Sequence, residues 1–149
     1  MWSHSWALLR ASRDNGPDVV EVFDTKARSR EIAMQHDRVS PDGPIQAIDG
    51  HSVIGMWFRD PQPTARYFDD QHPDARLLRS LQASFGDTLP VSISSATSDG
   101  RFALLFASSP TNPGDYFLFD REAKKAQLIG SRREWIQPDQ LADMRVAEI

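Results

Sequence analysis

Three segments of this chain end in the same pair of residues: Val20-Glu21-Val22-Phe23-Asp24, Ala65-Arg66-Tyr67-Phe68-Asp69 and Tyr116-Phe117-Leu118-Phe119-Asp120. Their phenylalanines stand 45 and 51 residues apart (68 − 23 and 119 − 68). Each segment is a short β-forming run closed by a turn-forming aspartate. A recurrence of about 40–50 residues is the length of one four-stranded propeller blade. Such a repeat points to a binding and scaffolding unit within a larger circular assembly, and away from a self-contained enzyme.

The rest of the chain can be read on that frame. Trp6-Ala7-Leu8-Leu9-Arg10 and Val19-Val20-Glu21-Val22-Phe23 flank the turn sequence Asp14-Asn15-Gly16-Pro17, and Arg30-Glu31-Ile32-Ala33-Met34 follows as a third strand. In the second unit, Ile45-Gln46-Ala47-Ile48 leads through Asp49-Gly50 into Val53 to Phe58. Asp-Gly between two β-rich runs is a strong hairpin signal, because the tight turn needs residues that tolerate positive φ. Arg59 to Pro63 is expected as a loop and Thr64 to Phe68 as the next strand.

The third unit offers Val91 to Thr97, a turn at Ser98-Asp99-Gly100-Arg101, and Phe102 to Ala107. A Pro/Asn/Gly loop is expected from Ser108 to Gly114, then strands at Tyr116 to Phe119 and Ala126 to Ile129. The expected fold is therefore all-β: about three blades of an incomplete β-propeller, over residues 1–36, 37–90 and 91–131. Residues 132–149 read as a linker. Between the second and third units, Leu77, Leu78, Leu81 and Phe85 recur at helical spacing from Pro73, with Gly86 at the stop. This helix is expected to pack outside a blade or cover its edge. A second short helix is expected over Pro138 to Met144, with proline in its first turn.

Composition narrows the function classes. The 149 residues contain no cysteine, which excludes disulfides, zinc–thiolate sites and thiol catalysis. A net charge of −4 with both signs interspersed leaves no footprint for nucleic acid, and Arg132-Arg133 is too short a basic cluster for that role. No apolar run reaches the length of a membrane span. The first residues lack the pattern of a signal peptide, which together with the absent cysteine favours a cytoplasmic setting. Trp6-Ala7-Leu8-Leu9 reads as a core strand without a polar lead-in, so the chain is expected to begin inside a fold.

No catalytic set emerges. Gly50-His51-Ser52-Val53-Ile54 misses the second glycine of a nucleophile elbow and sits in a hairpin, so Ser52 reads as a turn residue. His4, His36, His51 and His72 are too dispersed for a metal site, and no cofactor is implied. Asp14-Asn15-Gly16-Pro17-Asp18 lacks the alternating ligands and closing glutamate of a calcium loop. Asp69-Asp70 reads as a solvated strand end. Trp57 is expected in a blade core with Arg59 at its rim. Arg132, Arg133 and Trp135 follow the last strand and are the candidate binding residues, since arginine and tryptophan are enriched at interface hot spots.

From Tyr67 onward the sequence resembles the prolyl oligopeptidase family of serine peptidases, in its acylaminoacyl-peptidase-like branch. The residues that carry the resemblance are Tyr67-Phe68-Asp69, Phe85, Val91-Ser92-Ile93-Ser94-Ser95, Ser98-Asp99-Gly100-Arg101 and Pro113-Gly114-Asp115-Tyr116-Phe117-Leu118-Phe119-Asp120, with Leu141-Ala142-Asp143-Met144 in the link that follows. The resemblance covers about half of the chain. It implies the last blades of a propeller that caps an α/β-hydrolase domain, with the catalytic triad on that other domain. It further implies that Arg132, Arg133 and Trp135 face the hydrolase domain and that peptides are the substrates. An incomplete propeller has open blade edges, so the chain is expected to associate with further propeller blades, with itself or with a separately encoded remainder. The alternative is an independent β-repeat module that binds protein or peptide without an enzymatic partner.

Overall fold

The structure is a computed structural model that describes residues 6–145. Its strands are β1 (Trp6–Ala11), β2 (Val19–Asp24), β3 (Ser29–Met34), β4 (Gly43–Gln46), β5 (Val53–Arg59), β6 (Pro63–Tyr67), β7 (Val91–Ala96), β8 (Phe102–Ser109), β9 (Asn112–Asp120) and β10 (Lys125–Ser131). One α-helix, α1 (Pro73–Phe85), stands between β6 and β7. The chain is thus mostly β. Three open antiparallel sheets follow sequence order: β1-β2-β3, β4-β5-β6 and β7-β8-β9-β10. No helix among the described residues is long and apolar enough to cross a membrane.

The chain divides into two compact units. The first comprises residues up to 45 and 55–68, and contains the β1–β3 sheet with most of the β5–β6 hairpin. Val20, Val22, Pro41 and Phe58 are fully buried in it. His36 stacks on Phe58 with ring centroids 5.5 Å apart, and Arg66 lies over the same ring while donating to the Gln35 carbonyl at 3.1 Å. Arg38 makes a two-pronged pair with Asp60 at 2.8 and 3.0 Å. Trp57, expected in the core, is only half-buried, because the alternation of β5 turns Ile54 and Phe58 inward.

The second unit comprises residues 46–54 and those from 69 onward. Its core joins Leu77, Leu81 and Phe85 of α1 to Val91 and Ile93 of β7, Ala103, Leu105 and Ala107 of β8, and Phe117 and Phe119 of β9. The helix therefore packs on the face of its sheet. His72 Nδ1 accepts the Asp74 N–H at its start, proline occupies the first turn, and Gly86 at φ +86° ends it. Gln82 then locks helix to strand: its Nε2 donates to the Gly86 and Leu89 carbonyls, and its Oε1 accepts the Val91 N–H at 3.0 Å.

Two expectations need correction. Residues 108–114 are not a loop, since β8 runs to Ser109 and β9 begins at Asn112. Proline is accommodated there because Pro113 lies near a ladder bulge between Ala107 and Ser109, where one N–H can be dispensed with. Asn112 fixes the corner, accepting the Gly114 N–H and donating to Asp115. The second expected helix shrinks to a single 3₁₀ turn, Pro138–Gln140. Residues 141–145 continue without regular structure, and Met144 is half exposed, so no apolar face is buried to hold a longer helix.

The Phe-Asp pairs acquire a physical role. Asp24 Oδ1 accepts the N–H groups of Lys26 and Ala27, and Asp120 Oδ1 those of Glu122 and Ala123. Asp69, just past β6, does the same for Gln71. Arg28 and Lys124 both close their turns at positive φ, +52° and +51°. The Asp-Gly turns also match: Gly50 donates to Ala47 and Gly100 to Thr97, with glycine at φ +71° and +68°.

The match between β1–β3 and β8–β10 extends to every rung of the β1–β2 and β2–β3 ladders. Trp6 pairs with Asp24 as Phe102 pairs with Asp120, and Leu9 with Glu21 as Leu105 with Phe117. Asp24 meets Ser29 as Asp120 meets Lys125, and both outer strands bulge at the same place, at Ala33 and Ile129. All these equivalences hold at one spacing of 96 residues (102 − 6), with no insertion. Trp6-Ala7-Leu8-Leu9-Arg10-Ala11 and Phe102-Ala103-Leu104-Leu105-Phe106-Ala107 are the clearest trace of it.

Candidate binding surfaces

The turn tips are closed on themselves. Asp49 Oδ1 accepts the N–H groups of His51 and Ser52, and its Oδ2 accepts the Ser52 hydroxyl at 2.8 Å. Those bonds, the Ser52 amide foremost, hold the Asp49 carboxyl below the usual carboxylate range. Ser52 is thus a turn residue whose hydroxyl serves its own hairpin. Asp99 is lowered by the Thr97 hydroxyl and the Arg101 amide, and Asp120 by the Ala123 and Glu122 amides with Arg101 beside them.

The other sequence candidates have local structural partners. His36 packs on Phe58, His51 lies in a turn and His72 caps α1, while His4 lies outside the described residues. Asp18 pairs with Arg10 at 2.7 Å, and Asp70 with Arg79 at 2.5 Å. Arg59 pairs with Asp42 at 3.3 Å. Among the described residues no group of three or more His, Asp or Glu side chains is arranged to hold a metal ion.

One buried acid went unremarked in the sequence. Asp74 is only 7% exposed; its Oδ2 accepts the Ile48 N–H at 3.0 Å and its Oδ1 faces Arg121 at 3.5 Å. Arg121 also reaches the Gly100 carbonyl. The pair ties the start of α1 to the tips of three turns, a structural task.

Arg132, Arg133 and Trp135 all lie at the surface, Trp135 at 76% exposure. The Arg132 N–H donates to the Gly114 carbonyl at 2.7 Å, and the Ile136 N–H to the Arg133 carbonyl, so the segment leaves β10 along an ordered path. Among the described residues, none of the three side chains forms an ion pair with an acid or a ring contact with an aromatic side chain.

No family model matches this sequence, and no curated protein or solved structure matches it. The surfaces therefore speak through their own chemistry. The β8–β10 strands bury one face, Ala103, Leu105, Ala107 and Phe119, and leave the other partly open at Leu104, Phe106, Tyr116 and Leu118, with Leu118 at 40% exposure. The β1–β3 sheet buries Val19, Val20 and Val22, which fall on both of its faces, and leaves Ala7, Leu9, Glu21, Phe23 and Ile32 partly or largely exposed. The β8–β10 strands are thus the ones that keep an apolar face partly open.

Proposed function

We propose that this chain is a non-catalytic segment of a β-propeller, made of consecutive blades, that belongs to a serine peptidase of the prolyl oligopeptidase type. In that setting it gates and orients peptide substrates for an α/β-hydrolase domain carried elsewhere. The observation that carries the reading is the sequential series of antiparallel sheets in which one three-stranded unit recurs 96 residues on with every register kept. Up-and-down sheets repeated in sequence order are the building plan of a propeller. Ser52 spends its hydroxyl on its own turn, where Asp49 accepts it. The mechanism is steric: blades over a catalytic pocket admit short peptides and turn away folded proteins.

The exposed Arg132, Arg133 and Trp135 are the residues assigned to the hydrolase side of the segment. The test is turnover of a chromogenic peptide, with this chain alone and with any α/β-hydrolase domain encoded next to it. Alone it is expected to be inactive, and with the domain it should narrow the substrates to short peptides. Turnover by the chain alone that survives Ser52→Ala would overturn the reading. The second reading, an independent β-repeat binding module, draws on the partly open apolar face of the β8–β10 strands and gains if no hydrolase domain is encoded nearby.

A further inference from the structure

Asn15 and Gly16 stand exposed in the connection between β1 and β2 and take no part in the core or in the proposed gating role. Among the described residues neither has a hydrogen-bond partner, so the Asn15 carboxamide and the Gly16 N–H are both free. Gly16 lies at φ +108°, and a methyl group placed on it would meet nothing within 4 Å. Asparagine is a thermally labile residue, and a following glycine offers its nitrogen without a side chain to shield it.

The comparable turns are closed to the same chemistry. Three of them pair an aspartate with glycine: Asp42-Gly43, Asp49-Gly50 and Asp99-Gly100. The Gly50 and Gly100 N–H groups are spent on the Ala47 and Thr97 carbonyls at 3.0 and 2.8 Å. Asp49 and Asp99 are held ionised by the donors around them, and Asp42 pairs with Arg59 at 3.3 Å; a carboxylate is a far poorer electrophile than an amide. The chain has one other asparagine, Asn112. Pro113 follows it and has no N–H to attack, and its carboxamide is fixed between Asp115 and the Gly114 N–H.

We infer that Asn15 is a site of spontaneous, backbone-assisted deamidation, with water as the only co-reactant. The Gly16 nitrogen loses its proton and attacks Asn15 Cγ. The N–Cγ bond forms, the Cγ–Nδ2 bond breaks, and the side-chain nitrogen leaves as ammonia with that proton. The cyclic imide then takes up water. Opening at Cγ leaves aspartate at this position, whereas opening at the main-chain carbonyl routes the backbone through the side chain as isoaspartate. Either product sets a new carboxylate between Asp14 and Asp18 and moves the formal charge one unit beyond −4. The isoaspartyl form also adds a methylene to the connection, beside the Arg10–Asp18 pair and the Ala11–Val19 rung that close it.

The test compares the intact chain with a free peptide of residues 10–20. Both are warmed in mildly alkaline buffer, and the chain is then digested and mapped by mass spectrometry. An exposed connection reacts without any opening of the fold, so Asn15 in the chain is expected to convert within about tenfold of the peptide's rate. Isoaspartate should appear at this position, since only the imide yields it, while Asn112 keeps its amide. Conversion of Asn15 slower than that limit would overturn the proposal. So would aspartate without isoaspartate at position 15, or isoaspartate gathering at Asp49 or Asp99 as quickly as there.

Discussion

Glu21 and Phe117 hold the same position in two copies of one three-stranded unit, each across a ladder from a leucine, Leu9 and Leu105 respectively. One is an acid with an unsatisfied oxygen on a half-open face, and the other is an aromatic ring closed into a core. Glu21→Leu removes the unsatisfied carboxylate while keeping its bulk. It is expected to stabilise the free chain by about 1 kcal/mol, since an unpaired buried polar group costs roughly 1–3 kcal/mol. A urea titration with unchanged slope should show the midpoint rise; a fall would mean that Arg30 satisfies Glu21 better than its 3.7 Å distance suggests.

Asp74 should behave as a fastener. Asp74→Ala strands the Ile48 N–H and unpairs Arg121, and is expected to cost about 2 kcal/mol, the range for hydrogen bonds to a charged group. Asp74→Asn keeps an acceptor for Ile48 and should lose about half as much. Equal loss in the two variants, measured by denaturant unfolding, would show that the charge alone matters.

Gly55 marks a close approach of backbones. A methyl group there would lie 2.2 Å from the Arg66 carbonyl oxygen across the β5–β6 ladder. Gly55→Ala is expected to destabilise by more than about 2 kcal/mol, because neighbouring backbone must move. Gly130, with nothing within 4 Å of such a methyl, is the control, and Gly130→Ala should change stability by less than about 0.5 kcal/mol.

Acid should loosen the turns. Asp49, Asp99 and Asp120 all have folded pKa values below the ordinary one. A group depressed on folding contributes its stability above its unfolded pKa, about 3.9 for aspartate, and loses it as pH falls through the folded value. The unfolding midpoint should therefore be level from neutral pH to about pH 5 and fall below about pH 4. Replacing all three with asparagine should flatten that fall; an equally steep one would place the acid-sensitive groups elsewhere.

Much of this was legible in the sequence because local signals agreed. The Asp-Gly hairpins, α1 with its proline and glycine ends, and the β-branched strands each lie close to where residue chemistry puts them. The 108–114 segment was not legible, since proline, asparagine and glycine mark a loop by composition, while the corner needs only Pro110 and Thr111 between paired strands. The Phe-Asp steps of 45 and 51 residues pointed to a repeat, but the spacing that preserves every register is their combined length. The paired Trp6–Ala11 and Phe102–Ala107 strands held that signal in plain view. Asp74 and Glu21 were hidden among many acids, because only the fold determines which carboxylates leave water. A lone acid inside Val19-Val20-Glu21-Val22-Phe23 was the one clue to the latter.

The account rests on β1–β3 and β8–β10 being two copies of one three-stranded unit, the second of which α1 and β7 complete. Residue-resolved amide hydrogen exchange on the free chain tests this most directly. Amides from Val20 to Phe23 and from Tyr116 to Phe119, on strands paired at both edges, should be strongly protected, while those of Ala33 and Ile129, at the two matching bulges, should exchange at least tenfold faster. Fast exchange along β2, or a fast bulge in one copy and not in the other, would contradict the account.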